Sequence, residues 1–99
     1  MAKTGIQISK TLINKINDED FKKNIENLLR QKSGGRCFLC RSQFNFASDL
    51  IHADHDVPEA DGGPTDYDNL NLAHANCNKF KKDNPTLLVQ KFLPFRQFL

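Results

Sequence analysis

The sequence has no uninterrupted apolar run approaching the roughly 18 residues that would span a membrane. Nor does an apolar core stand behind the charges at its N-terminus, so no secretory signal is read there. A soluble protein of the cytoplasm is expected. Internal repeats and low-complexity tracts are missing too, which leaves one domain of 99 residues, a size at which an apolar core alone is often marginal. Cysteine is sparse, and its count of 3 is odd. Two of the three stand as Cys37-x-x-Cys40, which reads as metal ligation in a reducing compartment and not as a disulfide framework.

Charge of one sign is scarce overall, at net +2, but unevenly placed. Residues 1–36 sum to +4, residues 37–76 to −6 and residues 77–99 to +4. An acidic centre between basic flanks suits a metal site served by a polyanion-binding surface, and it equally suits ordinary solvated faces.

Taken in order, residues 1–8 give no signal. Ser9 can cap a short helix carrying Leu12, Ile13 and Ile16. Asn17 can cap a second, in which Asp18, Glu19 and Asp20 complement the dipole and Phe21, Ile25, Leu28 and Leu29 form one stripe that ends near Gly34. Phe44 and Phe46 read as core filling. Leu50 to Val57 is expected as a strand, ended by Pro58. Glu59 to Asp68 is expected as a loop, Leu70 and Leu72 as a returning strand, and Cys77 to Asp83 as a helix. Beyond Asn84-Pro85 a further helical segment carries Leu88, Val89 and Phe92. The apolar end of the chain suits a core closure, a homodimer interface, or a junction to a larger parent protein.

Zinc takes four tetrahedral ligands, commonly as two close pairs. Cys37 and Cys40 make one pair; His74 and Cys77, with the same two-residue gap, make the other. With four protein donors such a site is closed and structural, so chemistry must come from the residues it brackets: Asp54, His55, Asp56, Asn69 and Asn78. A carboxylate from Asp54 and an amide oxygen from Asn78 describe a Mg2+ or Mn2+ site open to water and phosphate. His55, adjacent and able to titrate near neutrality, is the candidate general base.

These pieces closely resemble the HNH endonuclease family: Asp54-His55-Asp56-Val57-Pro58, Gly62-Gly63, Asn69-Leu70 and Cys77-Asn78-Lys79-Phe80-Lys81 occur in the family's order. The resemblance covers about residues 37–83, leaving 1–36 as a helical N-terminal extension and 84–99 as a C-terminal helical segment. It implies an α+β fold whose ββα-metal core, a two-stranded antiparallel hairpin plus helix, surrounds the zinc, with helices added at both ends. It further implies that His55 activates water, that Asn69 pins the loop through backbone hydrogen bonds and so orients His55, and that Asn78 stands for the final His of the name and binds metal with Asp54. In the family the metal polarises the scissile phosphate, and products carry 5′ phosphate and 3′ hydroxyl ends. His74 departs from the four-cysteine members, and zinc accepts either donor.

The expected activity is a metal-dependent DNA endonuclease with backbone-directed contacts. Lys79, Lys81 and Lys82 are candidate phosphate contacts. His52, on the strand face of Asp54 by alternation, is a candidate metal ligand or phosphate contact. The competing reading is a zinc-stapled nucleic-acid-binding or assembly module without catalysis.

Overall fold

A computed structural model describes residues 5–81 together with Thr86 and Gln90. The sequence expectations for Lys82 and for the remaining C-terminal stripe lie outside the described residues.

Three strands form one sheet in the order β1-β2-β3. The expected hairpin is its larger part: β2 (Leu50–His55) and β3 (Leu70–His74) pair antiparallel with Ile51 opposite His74 and His55 opposite Leu70. The sheet is wider than the two strands expected, because β1 (Gly5–Gln7) lies parallel to β2, Ile6 beside Ile51 and Gln7 beside His52. A strand of three residues shows no alternation of its own. What places it is the partner strand 45 positions along, together with the Gly5 N–H donating to Asp49 O at 2.7 Å.

Helix α1 (Lys10–Asn14) begins where Ser9 was expected to cap it: the Ser9 hydroxyl accepts from the Leu12 N–H at 3.2 Å. The single long helix expected next is two. Helix α2 (Glu19–Lys23) starts one residue later than expected, at Asp18, whose carboxylate accepts from the N–H groups of Asp20 and Phe21. The chain then breaks at Asn24 (φ −118°, ψ 22°) before α3 (Ile25–Ser33). The apolar stripe nonetheless runs through both, since Phe21, Ile25 and Leu29 are all buried. Gly34 ends α3 with φ 60°, a left-handed turn that a Cβ would disfavour.

Helix α3 packs on β3, and α4 (Ala75–Lys81) follows β3 without a loop and packs back on β2. It starts two residues earlier than the sequence suggested. The core between them is Leu29, Leu39, Ile51, Leu70 and Leu72, each at most 1% exposed. Burying each such side chain is worth about 1.5–3 kcal/mol. Phe44 is buried and Phe46 packs beside it, as expected. Lys32 ties α3 to the chain entering β3: its ammonium donates to the carbonyls of Tyr67 and Leu70, and burial pushes its pKa down. Among the described residues no helix is long and apolar enough to cross a membrane.

Candidate metal centres and active site

Residues 36–43 form a tight knuckle. Arg36 and Gln43 pair across it, the Cys37 N–H donates to Ser42 O at 3.0 Å, and the Arg41 N–H returns to Cys37 O at 2.9 Å. Arg41 takes a left-handed φ of 67° to close the turn. The Phe38 N–H donates to Leu72 O at 3.1 Å, which sets the knuckle against β3 just before His74. In the first turn of α4, Cys77 completes the set.

The donor atoms of Cys37, Cys40, His74 and Cys77 all lie within 4.8 Å of one another. A zinc tetrahedron with Zn–S bonds of about 2.3 Å has edges near 3.8 Å, so small side-chain movements close it. The chemistry of the donor set fits as well. The Cys77 thiol donates to the Cys37 sulfur and pulls the Cys37 pKa well below that of a free thiol, while Cys77 itself is pushed up. The Cys40 N–H also points at the Cys37 sulfur, at 3.5 Å. A thiolate is the form that binds zinc.

The His74 ring is fixed from both ends. Its Nδ1 lies 3.5 Å from Cys40 Sγ, and its Nε2 lies 3.3 Å from Asp49 Oδ2. Phe44 packs edge-on against it, with ring centroids 4.8 Å apart. Asp49 is in turn held by the Asn45 N–H at 2.8 Å. Sequence spacing gave no signal for Asp49, which lies 25 positions from His74. Orienting carboxylates of this kind are typically worth 10–100-fold in metal affinity. Asp49→Ala should therefore weaken zinc binding by about that factor in competition with a chromogenic chelator; unchanged affinity would remove Asp49 from the site.

The residues read from the sequence as a second, catalytic site lie at the other end of β2. Asp54 Oδ2 is buried, has no hydrogen bond to a described residue, and sits 3.4 Å from the Lys81 ammonium. A carboxylate oxygen withdrawn from water in this way is suited to a cation. Lys81, read from the sequence as a candidate DNA contact, instead turns inward: it is 1% exposed and donates to His55 O at 3.1 Å. Lys79, on the same helix, is exposed. Asn78 and His52 line a common cleft, and neither side chain hydrogen-bonds to any described residue.

His55 is 7% exposed. Its Nε2 lies 2.9 Å from the Thr65 hydroxyl and 3.9 Å from Glu59 Oε1. Glu59 is paired with Lys15 at 2.7 Å, which holds its carboxyl below the usual range. Thr65 carried no sequence signal, since a threonine after Pro64 in a polar loop is unremarkable until the loop folds back.

What folds it back is Asn69. Its Oδ1 accepts from the Val57 N–H at 2.9 Å, and its Nδ2 donates to Val57 O at 3.0 Å and to Pro64 O at 2.8 Å. The clamp leaves no room at Gly63, where a Cβ would stand 1.7 Å from Val57 O and 2.9 Å from Asn69 Nδ2. Gly63→Ala should cost about 1–3 kcal/mol or more, as overpacking does. It should also loosen the loop around His55. An unchanged melting temperature would contradict this.

Residues 37–84 match the profile of the family described as HNH endonuclease. No curated protein and no solved structure gives a significant match to the chain.

Proposed function

We propose that the protein, whose residues 37–84 match the HNH endonuclease profile, is a metal-dependent endonuclease that hydrolyses DNA phosphodiester bonds. The observation that carries this reading is the Asn69 clamp. Three hydrogen bonds from one buried amide hold the chain just beyond His55 to the chain just before Thr65, so the imidazole is fixed before substrate arrives.

His55 is the general base. In the tautomer whose Nε2–H donates to Thr65 Oγ1, 2.9 Å away, Nδ1 keeps a lone pair with which to take a proton from the attacking water. Asp54 and Asn78 would hold Mg2+ or Mn2+, Asp54 through its buried Oδ2, which has no hydrogen bond to a described residue. A divalent ion held there would supply Lewis-acid polarisation of the phosphate and charge stabilisation for the leaving oxygen. Lys81 neutralises Asp54 in part and ties α4, the helix that carries Cys77, to β2, the strand that carries the base, through His55 O. Zinc, held by four protein donors, leaves no open position and serves as scaffold.

Supercoiled plasmid incubated with the protein and Mg2+ or Mn2+ tests the reading. Relaxed circles should appear, and absence of relaxation at any protein concentration would defeat it.

A further inference from the structure

Beside Asn78 the molecule has a cleft of about 450 Å3 that the matched segment does not build alone. Its near wall is β2 and α4, through His52, Ala53 and Asn78. Its far wall comes from the N-terminal extension: Gln7 at the end of β1, Ile8 and Ser9 in the connection, and Leu12 on α1.

The lining is sorted by chemistry. Ile8, Leu12 and Ala53 offer apolar surface, while Gln7, Ser9, His52 and Asn78 offer donors and acceptors. The parallel register places Gln7 directly beside His52. The His52 and Asn78 side chains have no hydrogen-bond partner among the described residues, although both are half-buried. Residues 5–16 contribute Lys10 and Lys15 and no acid, against the acidic balance of the centre of the chain. Lys15 is paired with Glu59, and Lys10 is exposed beside Ser9.

We propose that this cleft seats one nucleotide of the strand being cut, next to the scissile phosphate, with its base or sugar on Ile8 and Leu12 and its phosphate at His52 and Gln7. The inference rests on the nuclease reading. Continuity through Asn78, a proposed ligand of the catalytic ion, puts the nucleotide beside the reaction. A volume of this size is more than an ion and its waters require, and it suits a nucleotide. The N-terminal extension is then a substrate wall and not only a packing element.

The test uses the full chain carrying His55→Ala, so that DNA binds uncut, with 5-iodouracil placed at successive positions of short duplex and single-stranded oligonucleotides. Ultraviolet crosslinks should map to the peptide spanning residues 5–12. Leu12→Trp, which fills the cleft, and Gln7→Ala, which removes a polar contact, should each weaken binding at least fivefold while circular dichroism is preserved. If Leu12→Trp fails to fold, Gln7→Ala together with the crosslinks decides. Crosslinks confined to other peptides, with Gln7→Ala binding like its parent, would overturn the cleft while leaving plasmid nicking intact. Failure of the parent to bind any oligonucleotide, together with absence of nicking by the unsubstituted chain, would instead overturn the nuclease reading and the cleft with it.

Discussion

A strong chelator should unfold this protein. The core described above is small, and stabilities of single domains lie at about 5–15 kcal/mol. Structural zinc in small domains contributes an apparent 10–16 kcal/mol near neutral pH, a sum as large as or larger than the whole net stability. The four donors come from the knuckle, the end of β3 and the first turn of α4, so an ion held there would join the elements that frame the β2–β3 hairpin. Without it, Cys37, Cys40 and Cys77 are joined only by weak hydrogen bonds to sulfur. The expected result is loss of the cooperative thermal transition and of most of the sheet signal in circular dichroism, both restored by zinc. Cys37→Ser should behave like the chelated protein. Melting curves that ignore the chelator would show that the apolar core suffices and that the staple argument is wrong.

The second large effect is on turnover. Replacing His55 by alanine removes the proposed base, and general-base contributions are typically about 10²–10⁴-fold in rate. The fold should survive, because the structural tie at this position is the backbone carbonyl that accepts from Lys81, and alanine keeps it. Plasmid nicking should therefore fall by at least about a hundredfold, with the cooperative melting transition retained but lowered, since a buried ring and its Thr65 contact are lost. Thr65→Val should produce a smaller loss by freeing the ring to rotate and to change tautomer, since only the Nε2 contact at 2.9 Å is removed. Equal nicking by His55→Ala and the unsubstituted chain would mean that another group takes the proton.

Much of this was legible because it rests on local spacing. Cys37-x-x-Cys40 and His74-x-x-Cys77 state their own geometry, and the gathered cluster needed no further information. The Ser9 cap, the stop at Gly34 and the antiparallel pairing of β2 with β3 likewise follow from short-range chemistry. What escaped is non-local. Strand β1 is recognisable only by its partner, the break at Asn24 is hidden because the buried stripe runs through it, and Asp49 and Thr65 acquire roles only when the chain folds back on His74 and His55. Lys81 misled for a related reason: in sequence it is one of several lysines, and only the approach of α4 to β2 shows that its ammonium serves Asp54 and a carbonyl. The helix face that carries Cys77 inward carries Lys81, four residues on, in the same direction.

The most direct measurement of the central claim, that one clamp of sulfur and nitrogen positions a second, oxygen-rich ion site, is anomalous scattering from crystals grown with zinc and soaked in Mn2+. Two separate ions are expected, a zinc among Cys37, Cys40, His74 and Cys77 and a manganese in contact with Asp54 and Asn78. A zinc peak alone, with Asp54 and Asn78 too far apart to share an ion, would contradict it.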